Sequence, residues 1–445
     1  MMNLSRILAF VCTLLVPILL SGQTAWTLEE CLQHANENSI QLKQEELKVA
    51  AQSHSLLASK MNLLPTLNLR GSNTNRFGRS VDPLTYEFTT DDTRGASFSA
   101  YSGIDLFRGF QNVNTVRKSK IDLQKTLSEF DQAKKDLELN ITRDFLQILF
   151  YLELQKVAED EAEITRLQVM QTKNFVEAGS LTQGDLQEIL ALQALEELNI
   201  VNAQNDYNLS LLNLALLLQL DDPESFKISQ PEANSMPEIF VQPQVESIIS
   251  EAENNRPSIF GAELGIQSSQ KSLLIAKGSL LPSISLTSGW GTGYSDQIFD
   301  ISEGNIMPFM NQLDFASTTY LGLSLNIPLF NGLSGITKVK NAKLDVINNQ
   351  LILDQAKNQL RKEIYLAYAD ANASFTKFQA TTKSLSSLQL AFENIERKYN
   401  LGMLTALDYN TAKNNVVRAQ SELLQAKYNY LFNIKILNFY RGLQQ

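Results

Sequence analysis

The stretch "KYNLGMLTALDYNTA" (residues 398–412) interrupts a segment that otherwise reads as one unbroken amphipathic helix. It has a twin in "FVEAGSLTQGDLQEI" (175–189), so that Gly402, Thr405 and Asp408 repeat Gly179, Thr182 and Asp185 at a constant spacing of 223 residues. A glycine just past a helix adopts the left-handed conformation without a Cβ penalty. Thr-x-x-Asp is the pattern of a capping box, in which the hydroxyl accepts from an amide of the next helix and the carboxylate reaches back. Each stretch therefore predicts the tip of a helical hairpin.

The likeness extends along the chain. "NLLPTLNLRGS" (62–72) matches "SLLPSISLTSG" (279–289) at an offset of 217. The same offset pairs Asn38 with Asn255, Leu47 with Leu264 and Leu56 with Leu273. Further on the offset is 223, pairing "LFRGF" (106–110) with "LFNGL" (329–333) and "DQAKKDL" (131–137) with "DQAKNQL" (354–360). The six-residue difference must fall in a loop between two strand-like segments. A colinear series of this kind predicts a tandem duplication, which decides the fold before any single element does.

The strand-like segments alternate, as half-buried strands do. In "SISLTSGW", Ile284, Leu286 and Trp290 share one face, and Ser283, Ser285, Thr287 and Gly289 share the other. Leu321, Leu323, Leu325 and Ile327 oppose Tyr320, Gly322, Ser324 and Asn326. Phe98, Ala100, Ile104 and Leu106 oppose Ser99, Tyr101, Gly103 and Asp105. Long helices flank every strand, so no second sheet is available to cover the apolar faces. Strands of about 9–11 residues with an apolar outer face and interfacial aromatics suit an outer membrane barrel, and Trp290 and Tyr294 are the candidate interface aromatics. Four strands cannot close a barrel, because even a small one needs about eight. The expectation is a barrel shared between chains, eight-stranded for two copies or twelve-stranded for three.

Between about 112 and 178 the chain has no proline, and Val116, Leu123, Leu127, Phe130, Leu137, Ile141, Ile148 and Leu152 keep a coiled-coil-like spacing. Such a rod rises on the order of 100 Å. It buries little within one hairpin and so requires neighbours, which again predicts an oligomer.

Bulk properties narrow the function. The chain has 445 residues and a net charge of −10, and no basic cluster suits nucleic acid. Arg6 followed by the apolar run 7–20 reads as an export signal, taken here as 1–23. Its removal leaves Cys31 as the sole cysteine, which excludes an intrachain disulfide. His34 and His54 lack ligand partners at metal-binding spacing and read as helix-surface residues. "GWGTG" (289–293) lacks the spacing of a phosphate loop and reads as a strand running into an outer loop. No catalytic, cofactor or metal site is expected.

Together, the export signal, the two helix–strand–strand–helix units, the "LLP" strand entries, the "IPLF-NG" strand exit and the paired G-x-x-T-x-x-D turns resemble the TolC-like outer membrane efflux protein family. The resemblance covers essentially the whole mature chain. It implies an α+β membrane protein in which a transmembrane β-barrel, four strands per protomer in a homotrimer, continues into a long helical coiled-coil barrel. It implies a passive exit duct in a Gram-negative outer membrane with a large periplasmic extension, serving tripartite efflux or type I secretion. Its partners would be a periplasmic adaptor and an inner-membrane transporter at the helical tip, and outer membrane lipid around the barrel.

On this pattern the first unit spans 24–220, with strands at about 64–75 and 95–107 and a tip at about 179–184. An inter-repeat segment follows at 221–243. The second unit spans 244–445, with strands at about 281–294 and 317–330 and a tip at about 402–407. Gly179, Thr182, Gly402 and Thr405 fall at periplasmic tip turns, Asp185 and Asp408 at gate or pore positions, and Tyr399 at an interhelical latch. The chain departs from some members in having Leu404 where they carry an arginine and Thr411 where they carry a second aspartate. The competing reading is a soluble periplasmic coiled-coil adaptor or scaffold, which would lack strands with unshielded apolar faces.

Overall fold

The structure, a computed structural model, describes residues 25–81, 88–90, 92–230, 244–300 and 305–442. The expected export signal and residues 231–243 of the inter-repeat segment lie outside the described residues. In chain order the elements are α1 (Leu28–Asn38), α2 (Ile40–Met61), β1 (Thr66–Arg76), β2 (Ser80–Val81), β3 (Phe88–Thr89), β4 (Thr93–Arg108), α3 (Gln111–Glu177) and α4 (Gln183–Leu217). There follow α5 (Val245–Asn255), α6 (Pro257–Gly278), β5 (Ser283–Ser295), α7 (Phe309–Phe315), β6 (Thr318–Asn326), α8 (Ser334–Asn400) and α9 (Ala406–Arg441). The chain divides into two units, one of residues up to 44, 133–253 and from 360, the other of 45–132 and 254–359.

The first unit is helical, and its core is built from matching positions. Leu137 and Leu360, Ile141 and Ile364, and Leu214 and Leu437 are each 223 residues apart and all are buried. Cys31 and Ile248, and Ala35 and Ala252, are each 217 apart and equally buried. Burying an aliphatic side chain of this size contributes about 2 kcal/mol. The helix breaks recur too. Ser39 separates α1 from α2, and Arg256 separates α5 from α6, where Pro257 holds the residue before it in extended backbone. Burial raises the Cys31 thiol to about 12, so this cysteine stays protonated.

The second unit holds an antiparallel sheet in the order β1-β4-β5-β6, so β1 and β6 are its edges. The register puts Leu69 opposite Ala100, Ala100 opposite Trp290, and Leu286 opposite both Ile104 and Leu323. All of these side chains fall on one face. The other face carries small and polar residues such as Ser99, Gly291, Gly289 and Ser324. Leu69 is 81% exposed and Leu321 74% exposed, so much of the apolar face lies bare. The short α7 covers part of one end, where Phe309 packs edge-on against Phe98 and Thr292 donates to the Leu313 carbonyl.

The structure alters several sequence expectations. The ladder slips between Asp105 and Phe107, so Phe107 rather than Leu106 stands opposite Ile284. Strand β6 stops at Asn326 rather than near 330, because Pro328 has no N–H to offer a ladder. "GWGTG" lies wholly inside β5. Leu127 is exposed and Ser128 buried, which shifts the expected stripe of α3 by one position there. Sixteen residues link β1 to β4 and twenty-two link β5 to β6, and the longer link holds α7.

Where the second unit passes from sheet to helix, two glycines meet. A Cβ on Gly278 would lie 2.2 Å from the Gly109 carbonyl oxygen, and a Cβ on Gly109 would lie 2.1 Å from that of Gly278. Only the missing side chains permit this approach.

Candidate functional site

Both hairpin tips are built in the same way. Helix α3 closes with the Gly179 amide donating to the Val176 carbonyl and the Ser180 amide to that of Phe175. Helix α8 closes with the Gly402 amide donating to Tyr399 and the Met403 amide to Lys398. These paired bonds form a Schellman motif, which needs a left-handed residue; Gly179 has φ +73 and Gly402 φ +72. Thr182 then opens α4, its amide donating to Asp185 Oδ2 at 2.8 Å and its Oγ1 accepting from the Asp185 amide at 3.3 Å. Thr405 opens α9 with the same pair of bonds to Asp408, each 3.2 Å long.

The cap hydrogen bonds, led by the threonine hydroxyl, hold both aspartates below the usual carboxylate range. Both carboxylates are therefore ionised at neutral pH, and Asp408 is exposed. Around the second tip, Leu401, Met403 and Leu407 also stand exposed.

Tyr399 does not meet either aspartate among the described residues. Its ring packs on Tyr409 instead, with centroids 4.8 Å apart. Tyr409 in turn packs on Phe392 and bonds through its hydroxyl to Gln168 of α3. Burial raises the Tyr409 phenol above its ordinary value, so it remains a neutral donor and acceptor. Gln168 and Tyr409 thus tie α3 to α9.

A second tie between the same helices escaped the sequence reading. Lys413 of α9 is 2% exposed, and its Nζ lies 3.2 Å from Glu161 Oε2 of α3 and 3.2 Å from Glu196 Oε1 of α4. It also donates to Thr165 Oγ1 at 2.5 Å. One ammonium faces two carboxylates in a place nearly closed to water. Burial raises the Glu161 carboxyl, and the Lys413 charge opposes that rise. The available signal was a charge inside an apolar stripe. Tyr409, Val416 and Ala419 mark a buried face that passes through Lys413, and Ile189, Leu192 and Ala203 mark one that passes through Glu196.

Trp290 and Tyr294 lie on the apolar face of β5, opposite Ala100 and Ala96. Trp290 Nε1 donates to Ser317 Oγ at 2.8 Å, and Tyr294 packs on Phe309. His34 is half-buried rather than fully on the helix surface. Trp26 stands edge-on to its ring, and Asn38 bonds Nδ1 at 3.2 Å. His54 is exposed.

A mostly helical α+β chain with a small antiparallel sheet, long capped hairpins and an unshielded apolar sheet face is the build of an outer membrane channel subunit. The family model described as outer membrane efflux protein matches residues 31–219 and 248–438, and the chain belongs to that family. It is similar to the outer membrane protein TolC of Salmonella enteritidis, 23% identical over 94% of this chain and 83% of that relative. Its fold matches a crystal structure of CusC with a TM-score of 0.78 at 18% identity, over 93% of this chain and 91% of the other. The CmeC outer membrane channel of Campylobacter jejuni matches with a TM-score of 0.78 at 17% identity, over 94% and 86%. The protein is thus an efflux channel of the Gram-negative outer membrane, in a family of transport conduits.

Proposed function

We propose that three copies of this chain form one exit duct, each lending its four strands to a twelve-stranded transmembrane barrel. The observation that carries this reading is the sheet itself, with unpaired edges at β1 and β6 and an exposed apolar face. Unpaired backbone groups in lipid cost several kcal/mol each, so the edges must find partners. Pairing β1 of one copy with β6 of the next closes the ring and turns the apolar faces toward lipid. Trp290 and Tyr294 then serve as interface aromatics, and the polar face lines a lumen. Trimers fit better than dimers because an eight-stranded barrel is filled by its own side chains.

The duplicated hairpins form a helical barrel that ends in the periplasm at the Gly179–Thr182 and Gly402–Thr405 turns. There the chain docks with a periplasmic adaptor and an inner-membrane transporter, for efflux or type I secretion. Asp185 and Asp408 set a negative field at the gate, and Tyr399 holds the tip through Tyr409. A soluble adaptor or scaffold does not account for a sheet whose leucines stand in solvent. Fractionation of the native host tests the reading: recovery in the outer membrane and release only by detergent supports it, whereas recovery in the soluble periplasmic fraction overturns it.

A further inference from the structure

We infer that the polar face of the sheet selects for anionic solutes, and that Arg70 and Arg76 of β1 are the charges that do so. The inference rests on the shared-barrel reading above, in which this face lines the lumen. Alternation along the paired strands puts Arg70, Arg76, Asp105 and Arg108 on the polar face, and the four strands carry no other charge on that side. The one carboxylate is already engaged, since Arg108 Nη1 lies 3.5 Å from Asp105 Oδ2. Among the described residues neither Arg70 nor Arg76 forms an ion pair, so this face of the strands carries an excess of two positive charges per chain.

The neighbours leave these charges free to act on a solute. Arg70 stands opposite Ser99, a side chain too short to cover it, and both arginines are exposed. Strand β1 is an edge, so ring closure would set β6 of another copy beside it. On the polar face β6 offers Thr318, Tyr320, Gly322, Ser324 and Asn326, none of which carries a charge. Closure thus brings no carboxylate to Arg70. The chain as a whole is net −10, so this positive lining is not a consequence of average composition. A water-filled passage with low-dielectric walls focuses such charges, and basic rings favour anions.

The test is the reversal potential of the full-length protein in planar bilayers under a potassium chloride gradient. The tip aspartates contribute to the absolute preference, so the readout is the change between variants. R70Q/R76Q is expected to conduct and to lower the chloride-to-potassium permeability ratio at least about twofold. R70K/R76K should keep the parent ratio, and D105N, which releases Arg108, should raise it. Single R70Q and R76Q should each give part of the shift. A conducting R70Q/R76Q channel with the parent ratio overturns the inference. Wild-type protein that fails to insert into the bilayer contradicts the duct reading itself, and the inference with it.

Discussion

Lys413 Nζ sits 3.2 Å from Glu196 Oε1, and the two side chains are 3% and 7% exposed. Removing one partner of a buried pair leaves an unpaired charge and costs about 3–5 kcal/mol. Lys413→Met leaves both Glu161 and Glu196 without their cation. Hydrogen exchange along 189–203 and 409–420 should therefore accelerate sharply in that variant. Adding Glu161→Gln and Glu196→Leu should restore most of the protection, because both replacements remove the stranded negative charges. Unchanged exchange in Lys413→Met would show that the cluster is not a structural tie.

The same cluster gives a pH dependence of definite sign. The Glu161 carboxyl is raised by burial, while Lys413 opposes the rise and Glu196 and Asp160 add to it. A raised carboxyl binds its proton more tightly in the folded state than in the unfolded one. Its stabilisation is therefore present at low pH and lost as pH climbs through the raised value. Protection factors around residues 161 and 413 should fall across that window, which lies above the ordinary carboxylate range. Glu161→Gln should flatten the dependence, and a parent with no such fall would refute the assignment.

At the tips the sign is reversed. The Asp185 and Asp408 carboxyls are lowered by their cap bonds, so their contribution is complete above the ordinary aspartate range and lost as pH falls through the lowered values. Thr182→Ala removes a cap worth about 1 kcal/mol and should fray the start of α4. Thr405→Ala should do the same to α9. Amide exchange of the first helical turn measures both, and equal exchange rates in parent and variant would contradict the caps.

Gly278→Ala should block the approach of α6 to the chain at Gly109, because its Cβ would fall 2.2 Å from a backbone oxygen that cannot turn aside. Yield of heat-resistant assembled protein is the readout. Gly332→Ala has open space around the new methyl but a φ of +62, so it should cost only the left-handed strain of about 1–2 kcal/mol. Assembly of Gly278→Ala at the parent level would falsify the close contact.

What could be read from the sequence was what short-range chemistry fixes. The Thr182–Asp185 and Thr405–Asp408 bonds join residues three apart, so spacing alone announces them. The faces of β5 and β6 follow from alternation, and the six-residue offset change marks the link that holds α7. The bulge at Asp105 could not be read, because it depends on how β4 meets β5. Nor could the partners of Lys413, since Glu161 and Glu196 lie 252 and 217 residues away in sequence and spacing does not pair them. Tyr399 shows the same limit from the other side. Its ring packs on Tyr409 of α9, ten residues on, and only tertiary packing selects that partner.

A chain that supplies four strands to a twelve-stranded barrel must assemble in threes, and the number of chains decides between this and any other closure. Native mass spectrometry of detergent-extracted protein measures that number directly. Twelve strands at four per chain require a single dominant species of three chains, stable without crosslinker. A stable monomer or dimer would contradict it.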